Sequence, residues 1–176
     1  MTIREKADCL LAQTGLMDVL CPHKAVIVGS YAMDLMTWND LDIYVDIGEM
    51  SVDKWCETVS GAVKAVQPTR IDGFQDASKG KFFLGMETMI TGERWNIDIW
   101  GKTSGEIANA LAENRAMKAR FEADVQAREA MMCIKNALIG RKMYGFDKGR
   151  EHFHSPEIYE AVLERGIRTP EAFLGK

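Results

Sequence analysis

A chain of 176 residues, 47% hydrophobic and 27% charged, is long enough for one domain, or for a domain with a helical appendage. Its net charge of −4 argues against a protein that holds duplex nucleic acid chiefly through phosphate contacts, which calls for a clustered basic excess. No apolar run reaches the roughly 18–20 residues of a membrane span, and Met1 to Asp8 lacks the apolar core of a signal peptide.

The expectation is therefore a cytoplasmic protein with no membrane partner and no stable hold on nucleic acid. The four cysteines, Cys9, Cys21, Cys56 and Cys133, form no C-x-x-C pair. Their apolar neighbours predict free, mostly buried thiols in a reducing compartment.

In chain order, Ile3, Ala7, Leu10, Leu11 and Met17 give helical spacing over 3–20, with Gly15 weakening the end. After Pro22, residues 25–28 read as a short buried strand that Gly29 ends. Ser30 is placed to start a short helix through Met36. Residues 40–45 alternate with period two, the mark of a half-buried strand. Val52, Trp55, Val59, Val63 and Val66 make 52–66 an amphipathic helix, stopped by Pro68.

Residues 81–90 and 94–100 read as paired strands joined by Thr91-Gly92-Glu93, a hairpin-length loop. Thr103 with Glu106 forms a capping box that opens a helix to about Met117. A longer helix follows over 123–143, with Ala127, Met131, Ile134 and Leu138 as one apolar stripe. Ser155-Pro156 and Thr169-Pro170 start two short helices, each an N-cap followed by proline in the first turn, and Gly166 ends the first. The pattern is α/β (α+β) at first and all-helical afterwards. It predicts a core over 1–102 and a helical region over 103–176, packed on that core as a single compact unit.

The informative feature is Gly29-Ser30 followed, after a short spacer, by Asp40-Leu41-Asp42 on a predicted strand. Aspartate is depleted in strands, so two of them alternating with Leu41, Ile43 and Val45 call for an explanation. Residues i and i+2 of a strand share a face, so Asp40 and Asp42 point the same way. In the later strand, Ile97 and Ile99 share one face, and Asn96, Asp98 and Trp100 the other. If the two strands are neighbours, Asp40, Asp42 and Asp98 converge.

Three close carboxylates repel unless a cation sits among them, and oxygen-only ligands favour magnesium or manganese. A glycine at a strand end lets the backbone approach a phosphate, and a following helix start offers free N–H groups. Each part alone has an ordinary reading: Gly-Ser as a turn, Asp-Leu-Asp and Asp98 as charges protecting an edge strand. Their order and spacing together are more specific.

The chain resembles the nucleotidyltransferase superfamily typified by DNA polymerase beta. Its signature is Gly-Ser, a spacer of about this length, Asp-hydrophobic-Asp and a third Asp on a later strand. Gly29, Ser30, Asp40, Asp42 and Asp98 match it position by position, over roughly residues 20–100. The resemblance is strongest to small bacterial members, including antibiotic nucleotidyltransferases and minimal nucleotidyltransferases of toxin–antitoxin pairs.

It implies a nucleotidyltransferase fold: a mixed sheet of about four or five strands flanked by helices, with a helical C-terminal appendage. It implies Asp40, Asp42 and Asp98 as catalytic metal ligands, and Gly29 and Ser30 as holding the β- and γ-phosphates. Two Mg²⁺ (or Mn²⁺) ions would act with an NTP such as ATP or GTP, moving its NMP to a hydroxyl of a small molecule or a protein. The helical part is left as the surface for a homodimer or a protein partner. The alternative is a non-catalytic partner protein, such as the antitoxin of a toxin–antitoxin pair.

Other residues carry paired readings. Asp34 stands where a small residue would leave more room for phosphate. Asp46 continues the polar face of 40–46 and reads as surface. Arg128, Lys135 and Lys142 recur every seven residues, as phosphate contacts or as a solvated helix face. Lys79 and Lys81 read as triphosphate contacts or as loop charges. His152 and His154 lack the spacing of a zinc site. Trp38, Trp95 and Trp100 read as base-stacking or packing residues.

Overall fold

The computed structural model describes residues 1–48, 50–76, 81–145 and 152–175, the side chains of 74–76 excepted. The chain divides into two units, Met1–Ala116 and Met117–Lys176. In the first, β1 (Val26–Val28), β2 (Asp40–Asp46), β3 (Arg70–Asp76), β4 (Lys81–Ile90) and β5 (Glu93–Lys102) form one five-stranded sheet. Its order is β1-β2-β5-β4-β3. The pair β2–β5 is parallel and the other three pairs are antiparallel, so the sheet is mixed. A parallel pair needs a long crossover, and the chain from Ile47 to Gly92 supplies it.

The period-two pattern separates the two faces as expected. Leu41, Ile43, Val45, Ile97 and Ile99 are all 0% exposed and form the centre of the core. Helices α1 (Ile3–Thr14), α2 (Leu16–Leu20) and α4 (Val52–Val66) supply Ala7, Leu10, Leu16, Leu20, Trp55, Ala62 and Val66 to the same cluster. Each fully buried aliphatic side chain of this kind stabilises the fold by about 1.5–3 kcal/mol.

Several elements differ from their sequence expectation for local reasons. Gly15 adopts φ 61 and splits the 3–20 helix into α1 and α2, since a left-handed residue ends a helix. Helix α3 (Gly29–Ala32) is a single turn and stops well before Met36. The hairpin loop is shorter than expected: Ile90 pairs with Glu93, leaving Thr91 (φ 51) and Gly92 (φ 80) as a two-residue turn. Two positive φ values define the type I′ turn, which matches the twist of its strands. Strand β3 has no counterpart in the sequence reading, because Arg-Ile-Asp-Gly-Phe-Gln-Asp holds three strand-poor residues and lies at the sheet edge.

Helix α5 (Ser104–Ala123) opens at the predicted capping box, Thr103 with Glu106, and runs past Met117. In the second unit, α6 (Val125–Gly140) starts where Asp124 accepts the Ala127 N–H at 2.8 Å. That N-cap sets the break between the two long helices one residue inside the predicted second one. Helix α7 (Ser155–Leu163) is capped by His154, one residue earlier than predicted, and Glu157 accepts the His154 N–H. Helix α8 (Pro170–Phe173) has the predicted Thr169 cap. The cysteines are free, but none is buried: Cys9 is partly exposed, and Cys21, Cys56 and Cys133 are exposed. Among the described residues no helix is long and apolar enough to cross a membrane.

Candidate active site

The motif residues meet on the sheet face opposite the core. In the parallel register Asp40 pairs with Asn96 and Asp42 with Asp98. Extending that register across the sheet gives one row: Val28, Asp42, Asp98, Gly85 and Asp72. Residues opposite one another in a sheet project to the same side, so Asp42, Asp98 and Asp72 share a face and Asp40 lies one row away.

Gly29 ends β1 with φ 66, and a Cβ there would collide with the Asp42 carboxylate. The glycine is thus required twice, for its left-handed backbone and for the close approach of Asp42. The turn continues with Met33 N–H donating to Gly29 O and Leu35 N–H to Ser30 O. Because α3 is one turn long, its dipole contributes little. The turn's own N–H groups and the Ser30 hydroxyl are what it offers to an anion. Asp34 is exposed with φ 59, a conformation that aspartate tolerates better than most residues.

Electrostatically the centre of the site is Asp98. Burial pushes its carboxyl up to about 6, with the charges of Asp40 and Asp72 adding to the effect and a hydrogen bond from Asn96 opposing it. Asn96 also donates Nδ2–H to Asp40 Oδ1 at 2.8 Å, linking the two strands through one amide. Gly85 shapes the ground beside Asp98: a Cβ at that position would lie 3.0 Å from the Phe83 ring and 3.3 Å from Asp98 Oδ1. The missing side chain lets Phe83 lie next to the carboxylate, and Phe83 packs on Trp100 with ring centres 4.3 Å apart.

The remaining candidates separate. Trp95 is buried in the core, Trp38 is exposed at the surface, and Trp100 stands on the site face. Asp46 ends the polar row as a structural tie, accepting hydrogen bonds from Ser104 and Gly48 and pairing with Lys24. These partners hold its carboxyl below the usual range, the Ser104 bond foremost. Lys81 begins β4 four residues from Gly85, about 13 Å along the strand, and Lys79 lies outside the described residues.

In the second unit Lys135 is fully buried, against the reading of a solvated face, with Nζ 5.4 Å from the Tyr144 ring centre and 5.8 Å from that of Tyr159. Arg128 is partly exposed and Lys142 exposed. Among the described residues, neither ring nitrogen of His152 has a hydrogen-bond partner.

Sequence reasoning missed Asp72, Phe83 and Gly85. Asp72 lay in the unread strand. The other two become visible only through the register of β4 on β5, although a lone glycine inside a strand pattern is a known sign of close approach.

The donor set of Asp40, Asp42 and Asp98 is oxygen-only, as magnesium or manganese prefers, and the charge of Asp40, which adds to the effect of burial on Asp98, is of the kind a cation offsets. Among the described residues, however, no three or more His, Cys, Asp or Glu side chains are gathered closely enough to hold a metal ion.

Sheet order, the Gly29 turn and the paired aspartate strands define a nucleotidyltransferase fold. No family model matches the chain, and no curated protein does. Solved structures do: the Cid1 poly(U) polymerase with magnesium and 3'-dATP bound matches with a TM-score of 0.66 at 15% identity over 92% of this chain. A cytoplasmic RNA terminal U-transferase gives 0.62, 15% and 92%. The non-canonical poly(A) polymerase complex GLD-2–GLD-3 gives 0.65, 13% and 96%. These neighbours are members of the DNA polymerase beta-like superfamily. At such identity the likeness is one of fold. The chain spans about half of each neighbour, 48%, 47% and 55% of their lengths.

Proposed function

We propose that this protein transfers a nucleoside monophosphate from an NTP to a hydroxyl group and releases pyrophosphate. The neighbours' fold supports nucleotidyl transfer in general. The observation that carries the reading is the register row, with Gly29 seated against Asp42 and Asp98 opposite it. In the proposed arrangement Gly29 and Ser30 receive the β- and γ-phosphates. Asp40, Asp42 and Asp98 hold divalent ions, Mg²⁺ or Mn²⁺, which supply charge neutralisation at the phosphates when bound.

The acceptor oxygen forms a bond to the α-phosphorus while the bond from that phosphorus to the β-bridging oxygen breaks. Asp98 takes the acceptor proton, directly or through the ion it would hold. In-line displacement puts the acceptor on the side away from Gly29, over Gly85 and toward Asp72. That side carries an aromatic pair and a carboxylate. An acceptor that is a small molecule or a protein side chain is the finer reading, together with ATP or GTP as donor and a cytoplasmic, bacterial setting.

The test is Mg²⁺-dependent binding of a non-hydrolysable NTP, and pyrophosphate release with a panel of hydroxyl acceptors, in wild type and Asp42→Asn. Binding indifferent to both the metal and the substitution removes the site assignment. A second reading, a non-catalytic partner protein such as the antitoxin of a toxin–antitoxin pair, is favoured by one observation, the lack of a gathered metal-binding group among the described residues. Pyrophosphate release abolished by Asp42→Asn decides against it.

A further inference from the structure

We propose that helix α1 is a brace that sets the position of the two halves of the motif relative to one another, the Gly29-Ser30 turn and the Asp40-Leu41-Asp42 strand. The proposal rests on the nucleotidyltransferase reading for what the motif binds. At about 100° per residue, α1 turns Ala7 and Leu10 into the core, with Arg4 and Asp8 on one flank and Lys6 on the other. Each flank reaches one half of the motif.

On the first flank, Arg4 Nη1 donates to the Tyr31 carbonyl at 2.6 Å, and its guanidinium carbon lies 3.6 Å from the Tyr31 ring centre. The Tyr31 hydroxyl donates to Asp8 Oδ1 at 2.7 Å, and Arg4 pairs with the same oxygen at 3.4 Å. The residue directly after Ser30 is therefore held by its backbone, its ring face and its hydroxyl at once. On the second flank, Lys6 pairs with Glu93, whose other oxygen accepts Asn39 Nδ2–H at 3.2 Å. Asn39 Nδ2 also donates to Arg94 O, and Asn39 O accepts the Asn96 N–H at 2.9 Å. Asn39 directly precedes Asp40, and Asn96 donates in turn to the Asp40 carboxylate.

Anchoring α1 needs none of this. The helix is fixed by its buried residues, by a capping box between Thr2 and Glu5, and by the Gly15 cap. The Arg4 and Lys6 contacts are part-buried and reach outside the helix, and both sets end beside the motif. The β1–β2 ladder registers Val28 on Asp42, and the segment between the halves buries Leu35 and Met36. The α1 contacts act beyond these, on Tyr31 just after Ser30 and on Asn39 just before Asp40.

Arg4→Ala and Lys6→Met, made in the full chain, test the brace through local amide exchange by mass spectrometry and through two probes, inorganic pyrophosphate with Mg²⁺ and Mn²⁺ alone. Losing charge-assisted hydrogen bonds in Arg4→Ala is expected to speed exchange over 29–35, and to weaken pyrophosphate binding, by about tenfold each, with 39–42 unchanged. Lys6→Met is expected to speed exchange over 39–42 and weaken Mn²⁺ binding, again by about tenfold, with 29–35 unchanged. Lys6→Arg restores wild-type values. Should Arg4→Ala fail to fold, Tyr31→Phe removes only the Asp8 bond and is expected to give about a threefold effect over 29–35.

Exchange that is unchanged, or that rises equally in both variants with a lowered melting temperature, overturns the brace. So does local exchange without any change in the probes the wild type binds. If the wild type binds neither probe while the two exchange patterns stay separate, the brace stands and the nucleotidyltransferase reading falls.

Discussion

The two faces of β2 and β5 share one backbone and carry opposite assignments. Inward, Leu41, Ile43, Val45, Ile97 and Ile99 are closed to solvent. Outward, the intervening positions hold Asp40, Asp42, Asn96 and Asp98, and burial, with the charge of Asp40 adding to it, makes Asp98 keep its proton well above the usual carboxylate range. One face lowers the free energy of the fold, and the other raises it in order to assemble charge. The strands tolerate the second because the first is so fully buried. The comparison teaches that alternation here divides the buried apolar core from a charged face at single-residue resolution.

That division is open to measurement. The largest expected effect is on the inward face: Ile97→Ala should cost about 3–5 kcal/mol of stability, because a closed site leaves its cavity unfilled. Chemical denaturation reads it directly, and a loss under 1 kcal/mol breaks the comparison. On the outward face, Asp42→Asn should lower the rate of pyrophosphate release by about 10²–10³-fold, the cost of one charge-stabilising group, while leaving the melting temperature level or higher. A fall in both would show that the faces are not separable.

Asp98 sharpens the contrast through pH. Its carboxyl sits at about 6 in the folded chain against an ordinary 3.8, so between those values the folded state binds the extra proton. The stability this confers is complete below about pH 4 and is lost as pH rises through about 6. Asp98→Asn should therefore be more stable than wild type at pH 7, by about 1–2 kcal/mol after allowance for solvent screening, and should flatten the profile between pH 4 and 6. Thermal melts across that range, without added metal, check both.

The smallest effect belongs to Asp46, on the same outward face but at the far end of β2. Asp46→Asn should cost less than about 1 kcal/mol, since its bonds to Ser104 and Gly48 are solvent-accessible, and should leave pyrophosphate release unchanged. A loss of activity there would extend the site along the whole strand.

Much of this was legible beforehand because the relevant signals are local. Period two in 40–45 and 94–100 reports burial on one face of each strand, and Gly29 announces a backbone that only glycine supplies comfortably. The helices were recognised by their stripes and caps. What stayed hidden depended on partners distant in the chain. Residues 70–76 form a strand only because β4 offers a ladder, and their composition points elsewhere. Lys135 falls among apolar positions of α6 and is buried, whereas its seven-residue spacing with Arg128 and Lys142 also fits a solvated face.

By itself, then, the sequence determined which residues are candidates for the site and which face of each strand they share, since both follow from side-chain type and the two-residue repeat. Only the tertiary structure decided that β2 and β5 run side by side in parallel, which puts Asp42 opposite Asp98. It also decided that β3 places Asp72 in the same row and that α1 reaches both halves of the motif. Register, strand order and side-chain reach are products of long-range packing, and no local pattern encodes them.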